Sequence, residues 1–486
     1  MSTEIRTLEP QDVWNKFADL NAIPRPSKKE EQVIQFMVDF GKSLKLETFT
    51  DAVGNVIIRK NATAGMENRK CITLQSHLDM VHQKNNDTVF DFDKQGVNMF
   101  VDDDWVKAKG TTLGADNGMG VAAIMALLES VAIPHPPLEA LFTIDEETGM
   151  TGAMGLKGGI LQGEILLNLD TEEDDEIDIG CAGGIDVTAT RSYKEKTLPR
   201  AVKAFGITVK GLQGGHSGMD IHKGFGNANK IMNRLLYKAV MDHQIRIAMI
   251  DGGSLRNAIP RESAANVVVY NSQSDAFEQT FKVLAKTIRL ELATIEPNLE
   301  IRLSPISEPK KVMGLGAQEK VLKSIYAAQN GVYAMSASIA DLVETSNNVA
   351  RVLVKDGEIK IGCLTRSSVN SAKMDLAHAL KSAFELGGFD VSFDGDYPGW
   401  KPNPNSAILK VLKSKYESIF NEKPKVVACH AGLECGILGQ NYPEMDMISF
   451  GPTIRGAHSP DERVQISSVQ KFWNFLLAIL ADSPKK

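Results

Sequence analysis

The sequence predicts a discontinuous α/β domain interrupted by an inserted α+β domain of two ferredoxin-like halves, and three observations carry that reading. Residues 1–186 alternate helical patterns with short continuous apolar runs, the texture of a largely parallel sheet covered on both faces. After Gly183-Gly184 the texture changes to alternating strands and amphipathic helices, in an order that partly recurs. From residue 399 the first texture returns, so residues 1–186 and 399–486 form one domain and residues 187–398 the insertion. A chain of 486 residues exceeds the size at which a single core keeps growing, which makes two domains the default.

In the first domain the apolar runs at 53–59, 71–76, 140–144 and 165–169 predict strands, and apolar residues at helical spacing predict helices at 11–20, 30–44 and 118–128. The insertion opens with strands at 185–188 and 205–209, then a helix at 228–240, strands at 246–250 and 264–270, and a helix at 277–292. The order then partly repeats: a helix at 317–329, strands at 336–341, 349–355 and 358–365, a helix at 371–386 and a strand at 389–394. A Pro-, Gly- and Asn-rich stretch at 394–405 punctuates the chain, and a strand at 445–450 and a helix at 467–480 complete the first domain.

Composition excludes several function classes. A net charge of -7 with no basic stripe argues against nucleic-acid binding. No apolar run is long enough for a membrane span, and the first residues carry acids in place of an apolar leader, so a cytoplasmic protein is expected. Cys71, Cys181, Cys363, Cys429 and Cys435 are odd in number and scattered, which reads as buried reduced thiols. The pair flanking His430 matches no zinc module.

Ligands gather at the carboxyl ends of strands in open parallel sheets, and His77, Glu146, Glu147 and Asp170 each follow an apolar run directly. Asp116, in Gly114-Ala-Asp-Asn-Gly-Met-Gly120, precedes an apolar helix whose N-terminus would favour its ionised form. The same glycines lack the GxxxxGK[ST] pattern of a phosphate loop. A lone histidine after a strand is ordinarily structural, and an acid pair is ordinarily a solvated turn. Together with His458, however, these residue types suit two Zn²⁺ ions and metal-assisted hydrolysis.

The set His77-Leu-Asp79, Gly114-Ala-Asp116-Asn, Asp145-Glu146-Glu147-Thr-Gly, Asp170 and His458 resembles the co-catalytic di-zinc family that contains carboxypeptidase G, aminoacylases, deacylases and dipeptidases. The resemblance spans nearly the whole chain. The insertion, Gly215-His216-Ser217-Gly218 and Arg455-Gly-Ala-His458-Ser-Pro-Asp-Glu462 are most similar to the Xaa-His dipeptidase branch of that family. The resemblance implies a zinc-exopeptidase-like α/β/α catalytic domain with a closing lid, and two Zn²⁺ per subunit, with Co²⁺ or Mn²⁺ also accepted. His77 and Asp170 would hold one ion, Glu147 and His458 the other, and Asp116 would bridge them across a cis peptide to Asn117. Asp79 would accept the N–H of His77, and Glu146 would be the general base for the attacking water. Adjacent side chains at a strand end point to opposite sides, which would separate the roles of Glu146 and Glu147.

The same resemblance makes His216 the donor to the oxyanion as the lid closes, and gives Asn257, Arg366 and Gly432 to the substrate. It implies a dipeptide substrate entering between the domains, β-Ala-His among them, and a homodimer formed through the lid, unless the doubled lid supplies the same contacts within one chain; composition leaves no nucleic-acid or membrane partner. The acidic run 171–176 reads as a solvated loop, with Glu172 or Glu173 as an alternative anchor for the substrate amine. Two other readings remain: an amidohydrolase that deacylates N-acyl amino acids at the same site, and a peptide-binding relative without turnover.

Overall fold

Four of the apolar runs lie side by side as parallel strands, in the order Leu138–Thr143, Ile72–His77, Ile165–Asn168 and Asp446–Ser449. They form the centre of an eight-stranded sheet in a computed structural model that describes residues 4–85 and 87–486. Val56–Lys60 and Glu47–Thr50 extend one edge and Glu176–Cys181 and Lys425–Cys429 the other, with antiparallel pairings at each edge. Every residue of Ile72–His77 and Leu138–Thr143 is buried, because helices cover both faces. The helix Ala115–Glu129 is apolar almost all round and packs between Ile72–His77 and the helix Gln11–Leu20, which buries Val13, Trp14 and Phe17. Ala407–Phe420 and the apolar Ile466–Ala481 pack together through Tyr416 and Phe475, and Ala407–Phe420 also packs on Asp446–Ser449.

This unit comprises Met1–Gly180, Trp400–Ala428 and Leu433–Lys486. The second comprises Cys181–Gly399 and the short segment Cys429–Gly432. The sequence reading put the boundaries at 187 and 398 and kept 429–432 with the first domain. Gly432 in fact stands in the second unit, where the Ala182 N–H donates to the carbonyls of Cys429 (2.9 Å) and Ala431 (3.0 Å).

The second unit is built on a nine-stranded antiparallel sheet. Val202–Lys210, the helix Ala228–His243, Arg246–Gly252, Ser263–Tyr270, the helix Ser274–Glu291 and Glu300–Pro305 make one ferredoxin-like half. The other half takes Gly183–Ser192 as its first strand and Leu315–Ala327, Val343–Lys355, Glu358–Ser367, Asn370–Leu386 and Asp390–Tyr397 as the rest. The first half is therefore inserted after the first strand of the second, which is why the order along the chain recurs only in part. Arg246–Gly252 pairs with Val343–Lys355, making one sheet of the two halves.

Some elements departed from expectation. The strand placed at 336–341 is Gly331–Met335, one turn earlier. A four-stranded sheet of Met99–Asp102, Trp105–Ala108, Ile454–Arg455 and Arg463–Gln465 was not foreseen, since its strands are two to four residues long. Cys71 and Cys429 are half-buried, whereas Cys181, Cys363 and Cys435 are buried as expected. Among the described residues no helix is long and apolar enough to cross a membrane.

Candidate active site

His77 closes the strand Ile72–His77 at the carboxyl edge of the parallel sheet, and its side chain is 1% exposed. Its Nε2 stands 3.2 Å from Asp116 Oδ1, 3.6 Å from Asp170 Oδ1 and 4.0 Å from Glu146 Oε2. The other oxygen of Asp116, Oδ2, lies 3.2 Å from His458 Nε2, which is 3.0 Å from Glu147 Oε2. Asp116 therefore faces one imidazole with each oxygen, as a bridging carboxylate does. The Asp116–Asn117 peptide is cis. His458 sits in the loop between Ile454–Arg455 and Arg463–Gln465 at φ 65°, with its side chain half-exposed.

Glu146 and Glu147 do not end a strand. Asp145, at φ 52°, turns the chain into the helical turn Glu146–Gly149, so the two carboxylates are separated by helical geometry and not by strand alternation. The Asp79 carboxylate fastens that turn: it accepts the N–H of Glu146 at 3.0 Å and of Glu147 at 3.3 Å, and the Ser27 hydroxyl at 2.8 Å. His77 Nδ1 is nearer the Asp79 carbonyl (3.2 Å) than its carboxylate (3.4 Å), so Asp79 orients the ring from two atoms and the Glu146–Gly149 turn as well.

The helix N-terminus expected to face Asp116 is occupied by another carboxylate. Glu462, 2% exposed, accepts N–H groups from Leu113 (2.7 Å), Gly114 (2.9 Å), Ala115 (2.7 Å) and Asp116 (3.3 Å). This frees the Asp116 side chain for the imidazoles. Asn117 donates to the Leu169 carbonyl at 2.9 Å and to Asp170 Oδ1. Buried Arg25 ties the carbonyls of Leu78 (3.0 Å), Asp79 (3.1 Å) and Gly114 (2.5 Å). Glu462 and Asn117 lie inside motifs already singled out, and Arg25 stands between Pro24 and Pro26, the one local signal for it.

Electrostatics follow from burying so many acids together. Burial, with Asp170 and Glu434 nearby, pushes the Glu146 carboxyl well above the usual range, and burial with Asp116 does the same to Asp170. Burial and Asp116 raise Glu147 as well. Hydrogen bonds to Asp116 and Glu147 lift His458 to about 11, while those from His458 and His77 hold Asp116 low despite its burial. The cluster calls for cations, and its donors fit them. His77, Asp116 and Asp170 form one set and Asp116, Glu147 and His458 another, each with ligand atoms within 4.8 Å of one another. Glu147 Oε1 is buried without a hydrogen-bond partner. Mixed imidazole and carboxylate donors of this kind suit Zn²⁺, Co²⁺ or Mn²⁺.

The acidic run is less solvated than expected. Glu173 pairs with Arg455 at 2.8 Å and Asp175 with Lys425 at 2.8 Å, and a strand starts at Glu176. Burial and the charge of Asp116 push Glu172 up to about 8, with His458 opposing them.

The second unit gathers a different set. His216 lies in the two-residue strand Gly215–His216, which pairs with Ala258–Ile259, and the Asn257 carbonyl accepts the Ser217 N–H at 2.8 Å. The Asn257 side chain itself is exposed. His216 Nδ1 accepts N–H groups from Gly218 (3.3 Å) and Met219 (3.1 Å), so the proton of the neutral ring is on Nε2. Burial and the Arg366 charge lower the His216 pKa to about 4, keeping the ring neutral. Arg366, 4% exposed, donates to Tyr397 Oη at 2.7 Å, and its Nη2 lies 3.4 Å from His216 Nε2. Two donors thus face each other, an arrangement satisfied by an oxygen anion between them. Arg366 forms no ion pair among the described residues, which suits an incoming carboxylate. His430, given no role by the sequence reading, is buried with Nε2 at 2.8 Å from Ser346 Oγ. Burial and Arg366 lower it to about 3.

Residues 73–482 match the model of peptidase family M20/M25/M40. The chain is 44% identical over 484 residues to the cytosol non-specific dipeptidase of Escherichia coli (strain K12), covering 100% of both proteins. Among solved structures it is similar to aminoacylhistidine dipeptidase from Vibrio alginolyticus, with a TM-score of 0.93, 43% identity and 100% and 99% coverage of the two chains. An aminopeptidase from Bacillus cereus shares the fold alone, with a TM-score of 0.58 at 16% identity and 98% coverage of each chain.

Proposed function

The chain belongs to peptidase family M20/M25/M40, and from that membership we propose that it is a cytoplasmic di-zinc dipeptidase hydrolysing Xaa-His dipeptides, β-Ala-His among them. The observation that carries the reading is Asp116, which turns one oxygen to His77 and the other to His458. One Zn²⁺ would be held by His77 and Asp170 and one by Glu147 and His458, with Asp116 common to both. When bound, the ions act as Lewis acids on the scissile carbonyl and the attacking water. Glu146 takes the proton from that water and gives it to the leaving amine. Burial that raises a carboxyl above the usual range makes its carboxylate a stronger base, which suits the first of these tasks. His216 Nε2–H donates to the oxyanion, and the Arg366 fork, with Asn257 and Gly432, takes the substrate carboxylate.

The free amine distinguishes a dipeptide from an N-acyl amino acid. Glu172 supports the dipeptidase reading over deacylation, since its half-buried carboxyl, held high by burial and Asp116, would ionise against a cationic amine and pair with it. The names of the relatives divide on breadth, one aminoacylhistidine and one non-specific. Carnosine, other Xaa-His dipeptides, dipeptides without histidine and N-acetyl-histidine compared on the metal-loaded protein test the whole reading. Faster turnover of N-acetyl-histidine than of carnosine would replace it with deacylation. Equal turnover of all dipeptides would retain the dipeptidase and remove the histidine preference. Glu146→Gln is expected to retain zinc and lose turnover, and a variant that stays active refutes the base assignment.

A further inference from the structure

One layer below the ligand-bearing strand ends runs a continuous line of buried side chains. Glu434 Oε2 accepts from Gln75 Nε2 at 2.6 Å and from Thr143 Oγ1 at 2.6 Å. Gln75 Oε1 accepts from Asn168 Nδ2 at 2.6 Å, and Asn168 Oδ1 from Ser449 Oγ at 2.5 Å. Ser449 Oγ lies 2.8 Å from Thr171 Oγ1, which lies 2.8 Å from Asp178 Oδ2. All seven residues are buried. The line crosses five neighbouring strands of the sheet and has a carboxyl group at each end.

The number of protons in this line is fixed by its chemistry. From Glu434 to Asp178 there are five hydrogen bonds in series and four interior residues, Gln75, Asn168, Ser449 and Thr171. An amide turns its NH₂ to one neighbour and its oxygen to the other, and a hydroxyl has a single proton, so each interior residue donates along the line once. Four donors leave one bond short. The fifth proton must reside on a terminal carboxyl. Gln75 and Asn168 both donate toward Glu434, and Ser449 donates toward Asn168. Thr171 must then donate to Ser449, and Asp178 to Thr171. With two carboxylates, one buried contact would be acceptor against acceptor; a proton on Glu434 Oε2 would set O–H against the N–H of Gln75, so any proton on Glu434 lies on Oε1, outside the line.

We propose that the line holds one carboxyl proton, resident on Asp178, and that it is a positioning element for the segments carrying His77, Glu146 and Asp170. Gln75 is two residues before His77, Thr143 three before Glu146, Asn168 two before Asp170 and Thr171 directly after it. A bond lost anywhere in series loosens all of these together. Burial pushes both carboxyls up to about 7, aided by the charge of Glu176 for Asp178 and against the His77 charge and Thr143 for Glu434. The charged group facing Asp178 is Glu176 on its own strand, itself 3.9 Å from Lys425, and Glu434 faces His77 and Asp79 and is felt by Glu146 and Asp170. The Asp178 proton stands on geometry alone, whereas its effect on turnover rests on the peptidase reading of the ligand cluster.

Infrared difference spectra of the metal-loaded protein, wild type against Asp178→Asn and against Glu434→Gln, test the proton directly. Below pH 7 the C=O stretch of a buried carboxylic acid is expected in wild type, lost in Asp178→Asn and kept in Glu434→Gln. Its absence from wild type, or its loss in Glu434→Gln alone, overturns the proposal. Should a variant not fold, the wild-type band must shift when the aspartates carry carboxyl ¹³C, and a band that shifts only with carboxyl-¹³C glutamate overturns it too. For positioning, Asp178→Asn keeps an N–H donor to Thr171 and is expected within about twofold of wild-type kcat, while Thr171→Val breaks the line and lowers kcat roughly tenfold or more at unchanged KM. Unchanged kcat in Thr171→Val refutes the positioning role. An active Glu146→Gln alongside the expected band would show that the peptidase mechanism had failed and the Asp178 proton had not.

Discussion

Replacing Glu462 by glutamine removes one oxygen and leaves the shape, and the structure allows its cost to be worked out. Oε2 accepts from Leu113 and Gly114, and Oε1 from Ala115 and Asp116. An amide can serve only one of these pairs and sets NH₂ against the other. Two buried N–H groups left without an acceptor cost about 1 to 3 kcal/mol each. Burial and repulsion from Asp116 raise the Glu462 carboxyl, so removing its charge returns part of that. A net loss of about 3 kcal/mol is expected. At about 2 °C per kcal/mol for a unit of this size, the thermal transition of the first unit should fall by roughly 6 °C. The loop Leu113–Asp116 would loosen with it, so metal affinity at Asp116 should drop roughly tenfold or more. Scanning calorimetry and competition with a chelator measure the two effects. A transition within about 1 °C of wild type together with unchanged metal affinity would refute the idea that Glu462 anchors Asp116.

Asp79→Asn should lower kcat roughly ten- to a hundredfold, because Asp79 orients both His77 and the Glu146–Glu147 turn; steady-state kinetics with metal content verified would check it. Arg366→Lys should raise KM for dipeptides roughly tenfold or more, since an ammonium cannot keep the bond to Tyr397 and grip a carboxylate as a fork does; an unchanged KM would move carboxylate binding elsewhere. Acid should destabilise the second unit. The unfolded chain protonates His216 and His430 near pH 6.5, but the folded chain not until about pH 4 and about pH 3 respectively. The folded state therefore binds fewer protons in that window and loses stability as pH falls, by roughly 2 kcal/mol at pH 5 from His430 alone. Chemical unfolding at pH 7 and pH 5 measures this, and His430→Asn should flatten the dependence.

Much of the fold was legible because each element carried its own signal. The helix Gln11–Leu20 has the bounds its apolar spacing predicts, and the four parallel strands are continuous apolar runs that only a doubly covered sheet can bury. Two-residue strands such as Ile454–Arg455 have no period to detect, and they place the His458 loop. The seven polar side chains under the sheet had no signal either, since Gln75, Asn168 and Ser449 each look like an ordinary interruption of a strand.

The sequence by itself determined which residues could do chemistry. His77, Asp116, Glu146, Glu147, Asp170 and His458 stand at strand ends, helix starts or motif positions because backbone periodicity and residue type are local properties. Tertiary structure alone decided what surrounds them. Glu462 occupies the helix N-terminus that local reasoning reserved for Asp116, and Asp79 holds the turn bearing Glu146 and Glu147. Across the second unit, His216 and Arg366 turn their donors toward each other. Hydrogen bonds between residues hundreds of positions apart depend on distance and direction in space, and no local pattern in a chain encodes these.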